Sequence, residues 1–271
     1  MSTIERAGAR LSCTVDGDGE AVLLLAAGPT GLPEPDPAAA AAHLRAGFRV
    51  IAPRPRHTGG GGVAPLEPFS YAQAAADQLA VLDALGVGRV HVVALGSACA
   101  QAWRLVREAP ERVRRVVCVE PAGLEGPAMP GALHAPFDEA MRTVRARGAA
   151  GVLDLAEREG DFARAAGAGP FAGTLRASVE SRAELSRLSV ERHVVLLGRY
   201  RDGLWPAGSP YFSVTEEWMR RIPTPLSVVP GSGPSRPEGF AGRLVRNAPD
   251  ARLSGAEPGG AAAFLTEHSA R

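Results

Sequence analysis

The sequence contains no lysine: all 30 of its basic residues are arginine. A Walker-type phosphate loop and a Schiff-base lysine both require that missing amine, so both are excluded. Asparagine occurs once, at Asn247, and the bias toward Ala, Gly, Arg and Pro carries no functional reading. Cysteine is also scarce. Cys13, Cys99 and Cys118 form an odd set without CxxC spacing, which indicates neither a disulfide framework nor a zinc site. No HxxxH or HExxH pair supports a metal. No apolar run approaches the roughly 20 residues of a membrane span, and the opening MSTIERAGAR lacks an apolar signal core. A formal charge of +1 leaves no basic excess for nucleic acid. The expectation is a soluble cytoplasmic protein without metal, cofactor, nucleic-acid or membrane partner. No feature of the sequence fixes an oligomeric state.

What is present is a chain of 271 residues with 45% apolar content, enough for one large core with a modest insertion. RLSCTV (10–15) reads as a strand, and Asp16-Gly17-Asp18-Gly19 as hairpin punctuation. AVLLL (21–25), FRVIA (48–52), VHVVAL (90–95), RRVVCVE (114–120) and PLSVVPG (225–231) are continuous apolar runs of the kind buried on both faces of a sheet. Helical spacing recurs between them, over about 38–46, 70–85, 98–108 and 237–247, and again over 259–268 after a short strand ARLSG (251–255). Strands alternating with helices predict a mostly parallel central sheet with helices on both faces. Between about 122 and 221 the rhythm changes to Arg-rich helical patterns without buried strands, which reads as an insertion over one edge.

This order resembles the α/β-hydrolase family over nearly the whole chain. GEAVLLLAAGP is similar to the strand that leads to the family's oxyanion loop, and FRVIAPRPRHTGGG to the strand and glycine-rich turn after it. YAQAAADQLAVLDALGVGRVHVVALGS resembles the helix and strand before the nucleophile elbow. REAPERVRRVVCVEPAG and PTPLSVVPG are similar to the next two strands. The resemblance implies an α/β-hydrolase core of residues 1–121 and 222–271, with 122–221 as a helical cap.

It also implies three catalytic positions, and all three read as vacant. The elbow motif G-x-S-x-G holds a strained serine between small neighbours. With the register fixed by VHVV and APERV, the motif falls on Ala94-Leu95-Gly96-Ser97-Ala98, so the nucleophile position is Gly96. A slip of one residue would make Ser97 the nucleophile but would set Leu95 where the first glycine belongs. Ser97 otherwise reads as a cap of the following helix. The loop after PLSVVPG, where the family carries its acid, reads GSGPSR; Glu120 is the alternative, or a structural acid. The loop after ARLSG has no histidine, and His268 lies too near the end of the chain. Triad members act as a unit, so ordinary serine hydrolysis is not expected.

Backbone donors survive such losses. The amides of Ser97 and of the Ala26-Ala27-Gly28 loop are candidates for holding a carbonyl, enolate or carboxylate at a helix N-terminus, or only water. Arg54, Arg56 and His57 form a candidate cation cluster for an anionic ligand, with His57 as general acid or base, or solvated charges on a flexible loop. Cys99 and His91 read as packing residues. His134 and His193 fall in the insertion. Trp205 and Tyr211 read as pocket lining or as core.

Three functions compete. The first is a non-hydrolytic enzyme of small-molecule or secondary metabolism, promoting a cyclisation, elimination or isomerisation through Arg54, His57, Ser97 or Glu120. The second is a ligand-binding pseudoenzyme, and the third an unorthodox esterase-like hydrolase using Ser97 with His57 as base.

Overall fold

The runs AVLLL and VHVVAL leave no polar face, and each ends in the middle of a sheet. The computed structural model describes residues 2–56, 58, 66–125, 129–160, 162, 164–233, 236–255 and 260–267. Eight strands among them form one sheet: β1 (Ser2–Arg6), β2 (Ala9–Asp16), β3 (Glu20–Leu25), β4 (Phe48–Pro53), β5 (Val90–Leu95), β6 (Val113–Val119), β7 (Leu226–Val229) and β8 (Ala251–Leu253). Their spatial order is β1-β2-β4-β3-β5-β6-β7-β8. From β4 to β8 every neighbouring pair is parallel, with Leu23 beside Ile51 and Val92, and Ala94 beside Cys118. β5 is buried along its whole length, as a strand covered on both faces must be.

The opening hairpin was not foreseen. β1 pairs antiparallel with β2 across Ala7-Gly8, both at positive φ (46° and 73°), a backbone suited to the twist of a tight two-residue turn. Conversely, Asp16–Gly19 does not close a hairpin. β2 pairs antiparallel with β4, so β4 lies between β2 and β3. The glycines reverse the chain as expected, but the sheet order decides which strand is met.

Helices α1 (Pro37–Leu44) and α10 (Gly260–Thr266) cover one face, over Val22, Leu24, Val93 and Val117. Helices α2 (Tyr71–Ala84), α3 (Cys99–Glu108) and α9 (Glu238–Asn247) lie against the larger core on the other face. Ser70 caps α2 by accepting the Gln73 amide, and the Tyr71 hydroxyl donates to Leu204 O at 2.8 Å, tying α2 to the insertion.

Between β6 and β7 the chain is helical: α4 (Met129–Arg158), α5 (Ala172–Ala177), α6 (Val179–Ser186), α7 (Val190–Leu204) and α8 (Glu216–Met219). α4 is broken at Gly148, whose φ of 62° and ψ of −168° are not helical. Tyr200 on α7 is fully buried among Phe69, Phe137 and Phe171, joining insertion to core through edge and stacked ring contacts. No helix among the described residues is long and apolar enough to cross a membrane.

Candidate active site

At the C-terminal end of β5 the chain must turn from strand to helix within a few residues. Gly96, at φ 55°, makes that turn, and a short 3₁₀ segment, Gly96–Ala98, leads into α3. Left-handed backbone costs a residue with a Cβ roughly 1–2 kcal/mol, and glycine very little. Ala94 and Ala98 on either side are completely buried, so helix and strand pack closely. The elbow therefore has its strained backbone, and at its apex there is no side chain.

The space that a side chain would fill is occupied by Glu34. A Cβ built on Gly96 would lie 2.9 Å from Glu34 Cδ and 3.1 Å from Pro35 Cδ, and would overlap Glu34 Oε2. Glu34 belongs to the loop between β3 and α1, in the run LPEPDP. The flanking Pro33 and Pro35 restrict the backbone around it. Asp36 begins α1 by accepting the Ala38 amide at 2.9 Å, and Thr30 Oγ1 accepts the Leu32 amide at 3.2 Å. Gly31 fits beneath Pro136 and Phe162 of the insertion, where a Cβ would collide with both.

Four donors converge on the Glu34 carboxylate. Ser97 N–H donates to Oε2 at 3.2 Å and Ser97 Oγ–H to Oε1 at 2.8 Å. Thr30 Oγ1 donates to Oε1 at 3.2 Å and Arg236 Nη2 to Oε2 at 3.3 Å. Arg236 also donates to Pro33 O and, through Nη1, to Glu120 Oε2 at 3.2 Å. Burial pushes the Glu34 carboxyl above the ordinary carboxylate range, against the opposing pull of the Ser97 hydroxyl, Arg236, the Ser97 amide and Thr30. Its side chain keeps 20% of its exposure. A carboxyl raised in this way exchanges protons closer to neutral pH than a surface glutamate does.

The expected residues are only partly brought together. Ser97 is 2% exposed and its amide is a donor at the elbow, but its hydroxyl does not cap α3; it donates to Glu34 instead. The hydroxyl proton goes to the carboxylate, a charge-assisted bond. Glu120, at φ 49°, pairs with Arg236 rather than standing free. Arg236 comes from the loop where an acid was expected. Ala26 and Gly28 line a neighbouring cleft, and Ala27 packs on the core. A Cβ on Gly28 would lie 3.6 Å from the Tyr200 hydroxyl.

Two members of the expected cation cluster, Arg54 and Arg56, are among the described residues. Arg54 is exposed, whereas Arg56 turns inward to Asp77 at 2.8 Å and Glu67 at 3.2 Å; burying a guanidinium requires such partners. His57 lies outside the described residues, as do His268 and 256–259 of the loop after β8. Trp205 packs on Phe212, and Tyr211 on Trp103 and Phe240; at 3% and 0% exposure both are core residues.

Residues 20–224 match the family model described as alpha/beta hydrolase fold. No curated protein matches the chain. Among solved structures, it is similar to a hydrolase from Pseudomonas aeruginosa PA01 (23% identity, 98% of each chain, TM-score 0.60). It also resembles the enol-lactonase from Burkholderia xenovorans LB400 (17% identity, 98% of this chain and 100% of that one, TM-score 0.61). A third is the meta-cleavage product hydrolase from Pseudomonas fluorescens IP01 (18% identity, 94% and 88%, TM-score 0.53). At these identities the structural likeness speaks to the fold.

Proposed function

Because the chain belongs to the alpha/beta hydrolase fold family, we propose that it binds a small organic molecule where that family works, at the C-terminal edge of the sheet beneath residues 122–221 acting as a cap. There it promotes a non-hydrolytic reaction by proton transfer, with Glu34 as the acid–base group. The observation that carries this reading is the Glu34 carboxyl lying where a nucleophile side chain at position 96 would be.

An acyl-enzyme route needs a nucleophile and a free amide to receive the oxyanion. Gly96 has no hydroxyl, and the Ser97 amide already donates to Glu34. Proton transfer needs neither. It needs a carboxyl with a shifted pKa, held in a fixed orientation at a site that a substrate can reach. Thr30, Ser97 and Arg236 hold Glu34, and Arg236 stabilises its charged form whenever it has given up the proton. Removing a proton beside a carbonyl, or returning it elsewhere on the same molecule, is the elementary step of isomerisation, elimination and many cyclisations. The substrate class is therefore a small enolisable carbonyl compound.

A second reading, a ligand-binding protein without chemistry, is favoured by one feature: the chain's own carboxylate fills the anion seat at the elbow. The test separates the two. Wild-type protein is incubated in D₂O with a panel of small ketones, β-keto acids and lactones, and deuterium uptake is followed by mass spectrometry. Uptake above background for at least one member, abolished by Glu34→Gln, supports acid–base catalysis; uptake unchanged by the substitution, or absent throughout the panel, overturns it. A fluorophosphonate probe run in parallel should give no adduct on Ser97, and an adduct there would restore the serine-hydrolase reading.

A further inference from the structure

A cleft lies between residues of β2, β3 and β4 on one side and α2 and α3 on the other. Its cavity volume is about 50 Å³, at the bottom of a wider recess open to solvent, and neither Glu34, Gly96 nor Ser97 lines it. Its apolar wall includes Leu11, Leu25, Pro53, Phe69 and Val81. Two buried neutral amides stand among them: Gln78 on α2 and Gln101 on α3, 4% and 6% exposed. Gln78 Nε2 donates to Gln101 Oε1 at 3.0 Å, and Gln78 Oε1 is buried with no hydrogen-bond partner.

An unsatisfied amide oxygen in an apolar wall is costly, and interiors rarely keep one without a purpose. Turning both amides over would exchange the orphaned acceptor for an orphaned donor. In either orientation Gln78 is one hydrogen bond short. A group that both donates and accepts satisfies it either way.

The charged residues of the lining are balanced, Arg54 and Arg56 against Glu67 and Asp77. Arg56 is committed to Asp77 and Glu67, and Asp77 also receives Arg6 and Gln73 at 2.9 Å each. Arg56 and Asp77 are thus already engaged with each other, so a charged ligand would gain little from either while its own desolvation went uncompensated.

From this juxtaposition we infer that the cleft is a second ligand site, distinct from the elbow, for a small uncharged amphiphile: an alcohol or primary amide whose head group hydrogen-bonds to Gln78 and whose hydrocarbon body lies on Leu25, Phe69 and Val81. It is independent of any acid–base role of Glu34.

Four probes with the same alkyl chain isolate the head group: n-hexanol, hexanamide, hexanoate and hexylammonium. Binding to the full chain is titrated by saturation-transfer NMR. Hexanol and hexanamide should bind saturably, with the two charged probes at least tenfold weaker. Gln78→Met keeps the length of the side chain and removes the amide; it should weaken hexanol and hexanamide at least fivefold. Ala74→Phe fills the cleft from the half-buried face of α2 and should abolish binding, so the inference stays testable if Gln78→Met fails to fold. Equal binding of all four probes, binding of none, or hexanol binding unaffected by Ala74→Phe overturns it.

Discussion

Giving the elbow a side chain should unfold the site rather than activate it. Gly96→Ala adds one carbon at φ 55°, a backbone penalty of about 1–2 kcal/mol. The new Cβ also needs the volume of Glu34 Oε2, and it meets Glu34 Cδ at 2.9 Å. The carboxylate must therefore leave, breaking the Ser97 amide and hydroxyl bonds of 3.2 and 2.8 Å. Hydrogen bonds to a charged group contribute about 1.5–3 kcal/mol each. Part of that returns once the carboxylate reaches water, so a net loss of roughly 3–5 kcal/mol is expected. For a chain of this size that is on the order of 10 °C in melting temperature.

The control is the same substitution in a Glu34→Ala background. With the carboxylate gone, Gly96→Ala should cost only the backbone term, about 1–2 kcal/mol, leaving a coupling of roughly 2–3 kcal/mol between the two sites. Urea unfolding of the four proteins, followed by fluorescence of the buried Trp103 and Trp205, measures the cycle. Equal costs of Gly96→Ala in both backgrounds would refute the claim that Glu34 fills the nucleophile's place.

Other consequences are simpler to state. Glu34 has a raised folded-state pKa, so the folded state holds its proton more tightly than the unfolded state. Its contribution to stability is greatest at low pH and declines as pH rises from the ordinary glutamate value of 4.5 to the raised folded value; the stability difference between wild type and Glu34→Gln should change across that window and be flat above it. His193 behaves in the opposite sense: burial lowers its pKa from 6.5 to about 4, so stability present above pH 6.5 is lost as pH falls toward 4, by about 3 kcal/mol in all. His193→Leu should flatten that acid limb in pH-dependent urea titrations. Arg115 donates to Phe264 O at 2.9 Å and lies 5.2 Å over the Phe264 ring; Arg115→Met should cost about 2 kcal/mol and speed hydrogen exchange in residues 260–267 before the rest of the chain.

The parallel strands were legible because burial on both faces leaves few polar residues to break the run: none in AVLLL and only His91 in VHVVAL. The edge strand β1 was not. STIER mixes polar and apolar residues, and its Ala7-Gly8 turn lacks the Asn-Gly or Asp-Gly signature. Asp16–Gly19 has that chemistry and still joins strands that do not pair, because a turn fixes a reversal and not a neighbour. The elbow was readable from Gly96 and its small flanks. Glu34 was not, since a carboxylate between prolines in a Gly-rich loop looks solvated. Its partners Ser97 and Arg236 stand 63 and 202 residues away, beyond the reach of any local spacing. Only the absence of an acid after β7 hinted that the charge balance of the site had been rearranged.

Taken together, the four changes at the site are consequences of one another. An elbow without a side chain still presents the Ser97 amide at the start of a helix, which attracts negative charge, and it leaves a void beside that amide. Glu34 answers both, filling the void and accepting the N–H. A half-buried carboxylate in turn needs compensation, and Arg236 supplies it from the loop where the family's acid would oppose it. With Arg236 there, Glu120 is drawn into the same ion pair. Replacing Gly96 by serine alone would thus displace Glu34 and leave Arg236 still holding Glu120.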